Sequence, residues 1–210
     1  PTTLAGNGQV TVSFTPSTTD GGSAITGYKA TASPGGIFAT STTSPIVVTG
    51  LTNGVAYHFT VVAVNAIGPG APSTTMSSTT PVTVPGAPTA VTGTSGNAQV
   101  SVAFTAPASN GGTGIVSYRV TSSPGGFTAT GATSPLLVTG LTNGTAYTFT
   151  ATATNAVGTS AASVASASVT PATVPGPPTG AVGTAGNGQV SVAFTAPASN
   201  GGAAITSYTV

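Results

Sequence analysis

Four side chains carry the proton and charge chemistry available to this chain of 210 residues: one acid, Asp20, one imidazole, His58, and two bases, Lys29 and Arg119. General acid–base catalysis needs a titratable pair held against one substrate. Asp20 and His58 are the only such pair, and an internal control tests them. Gly6-Asn7 returns at 96–97 and 186–187, and Leu51-Thr-Asn-Gly54 returns at 141–144, so the chain repeats every 90 residues without insertion or deletion. Such a period marks an array of one module. Asp20 aligns with Asn110 and Asn200, each followed by Gly-Gly, and reads as a turn residue. His58 aligns with Thr148 on the outward side of a strand and lacks the orienting partner that imidazole mechanisms use, so it reads as a solvent-facing or contact residue.

Other chemistries fail on composition. Calcium takes six to eight oxygen ligands and zinc takes Cys or clustered His; one acid, one His and no Cys supply neither set. Ser and Thr hydroxyls without a basic partner are poor nucleophiles. Gly-rich turns such as Ser123-Pro-Gly-Gly126 are followed by neither a lysine nor a helix pattern, so they are hairpin turns rather than phosphate loops. The sequence calls for no cofactor and no metal, and an enzyme is not expected. Asn143-Gly-Thr145 matches a glycosylation sequon, but copy one has Asn53-Gly-Val55, which favours a turn.

Charged residues make up 1% of the chain, against roughly 25% in an ordinary soluble domain. A surface this poor in Lys and Arg cannot neutralise phosphates, which argues against nucleic acid and anionic membrane surfaces as partners. Mean hydropathy is positive, yet apolar residues alternate and no run approaches the roughly 18 residues of a spanning helix, so membrane insertion is not expected. Absence of Cys leaves each module to fold on its core alone and fits an exported bacterial protein.

The elements that position these residues read as strands and turns. Val10, Val12 and Phe14 alternate with polar residues, as do Val100, Val102 and Phe104, and Val190, Val192 and Phe194. Longer alternations run through Tyr57, Phe59, Val61 and Ala63, and through Tyr147, Phe149, Ala151 and Ala153. Between them lie Asp20-Gly-Gly, Asn110-Gly-Gly, Asn53-Gly and Asn143-Gly, where positive φ is cheap. The module is read as all-β with about seven short strands. Proline clusters at 81–88 and 171–178 favour extended backbone and are expected to act as semi-rigid hinges in a rod-like array.

Three stretches follow: a first module over 1–84 lacking its entry segment, a complete module over 85–174, and the start of a third over 175–210. The third supplies two strands and the beginning of another, too little for a sandwich core. The expectation is that the chain continues beyond Val210, with strand addition from a neighbouring subunit as the alternative.

Pro85-Gly-Ala-Pro88, Gln99-Val-Ser-Val-Ala-Phe-Thr105, Tyr118 with Val120, Leu141-Thr-Asn-Gly-Thr-Ala-Tyr147 and Ala153-Thr-Asn-Ala-Val-Gly158 together resemble a bacterial extracellular fibronectin type III domain, and the resemblance covers the whole chain. It implies tandem seven-stranded immunoglobulin-like β-sandwiches. Its most specific element is Leu51 six residues before Tyr57, and Leu141 six before Tyr147, which resembles that family's tyrosine corner. The tryptophan common in the second strand of that family is replaced by Phe14, Phe104 and Phe194, and no Arg-Gly-Asp tripeptide is present.

Two functional classes remain. The first is a non-enzymatic stalk or filament-forming spacer at a cell surface, self-associating into a homopolymer or bundle through uncharged Thr- and Ser-rich β faces. The candidate packing face is His58, Thr60, Val62 and Val64, where two valines are expected to face solvent; copy two has Thr148, Thr150, Thr152 and Thr154 there. Edges without guarding charges and faces without ions to desolvate suit association. The second is an adhesin or a carbohydrate-binding accessory region of a secreted polysaccharide-degrading enzyme, with a surface polysaccharide as partner; a phage appendage decoration domain is a further alternative. Sugar platforms need exposed aromatics, whereas Tyr28, Tyr118, Tyr57, Tyr147, Phe59 and Phe149 fall at inward positions. Phe38 and Phe127, one repeat position apart, are the two left unassigned.

Overall fold

The computed structural model describes residues 2–210; Pro1, the first residue of the first expected module, lies outside the described residues. It is all-β, with strands β1 (Thr2–Gly6), β2 (Gln9–Ser13), β3 (Ile25–Ser33), β4 (Phe38–Ser41), β5 (Ile46–Thr49) and β6 (His58–Asn65) in the first repeat. The second holds β7 (Thr89–Gly96), β8 (Gln99–Thr105), β9 (Ile115–Ser123), β10 (Thr128–Gly131), β11 (Leu136–Thr139) and β12 (Thr148–Asn155). The third holds β13 (Thr179–Gly186) and β14 (Gln189–Thr195).

Contacts group the chain into two compact units: Pro1–Gly86 with Ala108–Val116 and Thr154–Ser160, and Ala87–Pro107 with Ser117–Ala153 and Ala161–Val210. In the first unit, sheet β1-β2-β5 faces sheet β4-β3-β6. Val10 and Val12 of β2, Ile46 and Val48 of β5, and Phe59 and Val61 of β6 meet in one core. Alternation sets which residues go inward, because successive side chains on a strand leave opposite faces. β2 pairs with β5 as Val10↔Val48 and Val12↔Ile46, and β3 pairs with β6 as Ala30↔Val61 and Ala32↔Phe59, so every inward residue meets an inward residue.

In the second unit, sheet β11-β8-β7 and the greater part of sheet β10-β9-β12 repeat the design, with Val100, Val102, Val120, Val138 and Phe149 buried. β13 and β14 form a hairpin in the same unit. Its Val190 is 64% exposed, where Val10 and Val100 are fully buried, because a two-stranded ribbon has no facing sheet. One aromatic pair is nevertheless conserved in geometry. Phe14–Tyr28, Phe104–Tyr118 and Phe194–Tyr208 have ring centroids 4.8, 4.9 and 4.8 Å apart. These tilted pairs occupy the phenylalanine position read from the sequence, and the third persists without a sandwich around it.

The turn joining β7 to β8 departs from its relatives. Ala98 has φ of 54° where Gly8 and Gly188 have 63° and 65°. A Cβ in the left-handed region costs roughly 1–2 kcal/mol. Two hydrogen bonds hold it there: Ala98 N donates to Asn143 Oδ1 at 2.8 Å, and Leu141 N donates to Ala98 O at 3.0 Å. Ala98→Gly is therefore expected to raise unfolding free energy by about 0.5–1 kcal/mol, relief of strain being partly offset by the freer unfolded chain. Urea denaturation checks this, and an unchanged or lower midpoint would refute it.

Candidate functional site

The acid, the imidazole and the two bases are dispersed among turns and faces, with Arg119 exposed on β9 opposite Thr130. Asp20 Oδ1 accepts from Gly22 N at 2.9 Å, the bond that Asn110 makes to Gly112 at 2.9 Å and Asn200 to Gly202 at 3.0 Å. The carboxylate is thus used as an amide would be. His58 is exposed, and its Nδ1 lies 3.1 Å from Met76 O, a geometry in which the ring nitrogen donates. Lys29 Nζ stands 4.0 Å over the ring of Phe38, a cation–π contact at an exposed site. Among the described residues no group of three His, Cys, Asp or Glu is placed to hold a metal ion.

On the candidate packing face only His58 is exposed, while Thr60, Val62 and Val64 are half-buried. β6 lies between two neighbours, so this face is more enclosed than alternation alone implies. Val62 stands opposite Lys29 and Val64 opposite Gly27 on β3, and Val64 also bridges to Pro69. The two unassigned phenylalanines separate cleanly. Phe38 is 58% exposed beside Lys29, whereas Phe127 stacks edge-on against Tyr147 at 6.2 Å. Tyr28, Tyr57, Phe59, Tyr118, Tyr147 and Phe149 are all buried, so among the described residues of the first two repeats no aromatic platform recurs.

Leu51 and Leu141 are buried, and each is tied back to the first hairpin of its repeat, Leu51 N to Gly8 O at 2.9 Å and Leu141 N to Ala98 O at 3.0 Å. Tyr57 Oη accepts from Thr52 N at 3.1 Å, and Tyr147 Oη from Thr142 N at 3.1 Å. Each phenol thus fixes the turn five residues before it while its ring stays in the core. The Asn-Gly turns are tied down as well. Asn53 Oδ1 accepts from Gly8 N at 2.8 Å, and its Nδ2 donates to Asn7 Oδ1 at 2.8 Å; Asn143 repeats both bonds with Ala98 and Asn97 at 2.8 Å. The sequon asparagine is a structural turn residue with its amide nitrogen engaged.

A serine arrangement escaped the sequence reading. The segment after β6 donates to it from Gly70, Ser73, Met76 and Thr79, and the acceptors are Ala63, Val61, Phe59 and Tyr57. Donors advance by three residues while acceptors retreat by two. Two strand residues cover about 6.8 Å, so three must bulge to fit at each step. The bulge turns carbonyls away, and hydroxyls replace them: Val61 N donates to Ser73 Oγ at 3.0 Å, Ala151 N to Ser163 Oγ at 2.9 Å and Phe149 N to Ser166 Oγ at 3.0 Å. Each hydroxyl also donates to the next carbonyl, at 3.0, 2.8 and 2.7 Å. A three-residue Ser spacing opposite a strand is the signal, hidden here by the abundance of Ser and Thr.

The proline clusters are hydrogen-bonded in place. Inside the first unit, Gly54 N donates to Pro81 O at 2.9 Å, Thr83 N to Gly111 O at 2.8 Å and Gly86 N to Ser109 O at 2.9 Å. Inside the second, Gly144 to Pro171 at 2.9 Å, Thr173 to Gly201 at 2.8 Å and Gly176 to Ser199 at 3.0 Å repeat the set 90 residues on.

A family model described as "Fibronectin type III domain" matches residues 2–79 and 85–169. The chain belongs to the fibronectin type III family. Similar solved structures include domains A168–A170 of titin, at 20% identity over 79% of this chain with a TM-score of 0.48. Another is the FN1–FN3 segment of chicken CNTN1, at 19% identity over 91% of this chain and 72% of that one with a TM-score of 0.46. The chain spans 60% of the length of the titin structure. No curated protein matches it. Domains of this family are typically structural modules; among the described residues no helix is long and apolar enough to cross a membrane.

The serine hydroxyls of these fibronectin type III modules carry a testable load. Ser163→Ala leaves the buried Ala151 N–H without its acceptor and is expected to cost about 1–3 kcal/mol. Val164→Ala, at an exposed neighbour, is expected to stay within about 0.5 kcal/mol of the parent. Chemical denaturation of both variants distinguishes a hydroxyl effect from a general sensitivity of the segment.

Proposed function

We propose that the protein is a non-enzymatic structural array, a stalk or filament-forming spacer on the outside of a bacterial cell, which associates laterally through uncharged Thr- and Ser-rich faces. The observation that carries this reading is the joint. The same three backbone hydrogen bonds recur at 90-residue spacing, so each proline segment is bonded on both flanks instead of hanging free. A free tether would suit independent binding modules; a bonded joint suits repeated spacing. Support also comes from the residues with chemistry, which serve turns and faces and converge on no common site.

Lateral association through neutral faces has a distinctive ionic signature, since screening acts on exposed charges and this chain carries only three formal ones. Sedimentation of the purified protein at rising concentration is expected to show self-association that changes little between low and molar salt, with ordered polymers visible by electron microscopy. A protein that stays monomeric at high concentration throughout that range would overturn the filament reading.

The joint itself has a second test. At Gly111 a Cβ would stand 2.1 Å from Thr83 O, whereas Gly21, with a similar φ, has no neighbour closer than 4.0 Å. Gly111→Ala therefore meets both backbone strain and a collision, and Gly21→Ala meets strain alone. Thermal unfolding is expected to show a loss from Gly21→Ala of about 1 kcal/mol and a loss at least about twice as large from Gly111→Ala; equal losses would mean that the joint contributes nothing.

A further inference from the structure

Asn-Gly steps stand at 53–54 and 143–144 in one turn of the repeat and at 110–111 and 200–201 in another. Glycine has no Cβ to obstruct closure of its peptide nitrogen onto the preceding side-chain carbonyl. The structure sorts these four steps into two arrangements. At 53 and 143 the side chain reaches away to the first hairpin: Asn53 Oδ1 accepts from Gly8 N and its Nδ2 donates to Asn7 Oδ1, both at 2.8 Å, and Asn143 repeats the pair with Ala98 and Asn97. The nitrogens that follow are also committed, Gly54 N to Pro81 O and Gly144 N to Pro171 O, each at 2.9 Å. At 110 and 200 the side chain folds back over its own peptide. Asn110 Oδ1 accepts from Gly112 N at 2.9 Å and Asn200 Oδ1 from Gly202 N at 3.0 Å, while Gly111 N and Gly201 N donate to Ser109 Oγ and Ser199 Oγ at 3.2 Å. Both serines and both asparagines are exposed, and among the described residues neither of these two Nδ2 atoms has a hydrogen-bond partner.

We propose that Asn110 and Asn200 are sites of spontaneous covalent modification, each closing to a succinimide with its glycine and opening to an aspartyl or isoaspartyl residue, whereas Asn53 and Asn143 are held intact. Gly111 N attacks Asn110 Cγ; the N–Cγ bond forms as the amide proton passes through Ser109 Oγ to water. The Cγ–Nδ2 bond breaks, and Nδ2 takes up a proton and departs as ammonia. Water then adds to the imide. Addition at Cγ restores the backbone peptide and leaves a side-chain carboxylate, and addition at the backbone carbon leaves Gly111 linked through Cγ. Only water is consumed. The turn assists at two points. Its curl holds Cγ beside the attacking nitrogen, and Gly112 N–H polarises Oδ1 and receives the charge that develops there, the task of an oxyanion donor. Gly8 N polarises Asn53 Oδ1 in the same sense, but there the attacking nitrogen is bound to Pro81 O and the leaving amide to Asn7.

The aspartyl product is one that this turn already carries in the first repeat. Asp20 Oδ1 accepts from Gly22 N at 2.9 Å, and φ is 69° and 87° at Gly21 and Gly22 against 76° and 89° at Gly111 and Gly112. A carboxylate therefore leaves the turn's backbone as it was. Its electrical effect is large in this chain, because each conversion adds one negative charge and both together take the formal net charge from +1 to −1. The surface charge of the array thus records its age. This inference rests on the comparison of the Asn-Gly turns and not on the spacer reading, and it survives if no filament is ever seen.

The test incubates the whole folded chain in mildly alkaline buffer and follows each asparagine by peptide mapping with mass spectrometry, which reads a single mass unit gained per conversion. Conversion at Asn110 and Asn200 is expected to run at least about tenfold faster than at Asn53 and Asn143. In the same chain unfolded by urea the four rates are expected to converge, since the bonds that separate them are then gone. Ser109→Ala is expected to slow Asn110 severalfold, with Asn200 in the same molecule as the unaltered reference. A folded chain in which Asn53 or Asn143 converts as fast as Asn110 would overturn the proposal, as would one in which Asn110 stays intact while the unfolded chain converts. A fourfold ranking that persists unchanged in urea would do the same, because local sequence and not the turn would then set the rates. An unchanged rate at Asn110 in Ser109→Ala would overturn the serine relay.

Discussion

Each sandwich depends on one strand being hydrogen-bonded from both sides without the help of a single ion. β6 pairs with β3 on one flank and receives donors from Gly70, Ser73, Met76 and Thr79 on the other. Its Tyr57-side end anchors the turn at Thr52, and Phe59 and Val61 fill the core. A buried N–H left unpaired costs as much as a lost hydrogen bond. With one acid and two bases in the chain, that demand is met by hydroxyls, amides and backbone. Among the described residues no buried side-chain polar atom lacks a partner.

Much of this was legible in the residues. Period-two alternation located Val10, Val12, Phe59 and Phe149 on inward faces, and all four are fully buried. Asn-Gly and Gly-Gly steps located turns because few residues accept positive φ, and Gly54, Gly111 and Gly144 take it. What stayed hidden depends on long-range geometry. The serine spacing at 163 and 166 carries meaning only opposite an acceptor strand, and in a chain dense in Ser and Thr it does not stand out. Half-burial of Val62 and Val64 likewise comes from neighbours that alternation does not name.

The candidate site was legible only through comparison of copies. Asp20 looks like chemistry until Asn110 and Asn200 make the same turn bond. His58 is the reverse case, since its contact to Met76 O has no basis in a copy whose corresponding residues are Thr148 and Ser166. The shared residues bear the architecture and the unshared ones decorate it. The Gly-Gly pair is among the shared residues, and at 111–112 and 201–202 neighbouring backbone leaves no room for a Cβ.

An uncharged surface also changes how a β-sheet edge must be protected. Charged side chains, above all Lys, ordinarily discourage a second strand from docking. Here the edge beside β6 is a segment that advances three residues for every two of its neighbour. An incoming strand needs outward N–H and C=O groups repeating every two residues, and a bulged segment does not present them in that rhythm. Ser73, Ser163 and Ser166 make the irregular path affordable in polar groups, each accepting one bond and donating one. Protection by register mismatch leaves the faces neutral and free to pack, which charge-based protection does not. The bulged segment therefore closes this edge to strand addition without placing a charge on either face of the sheet.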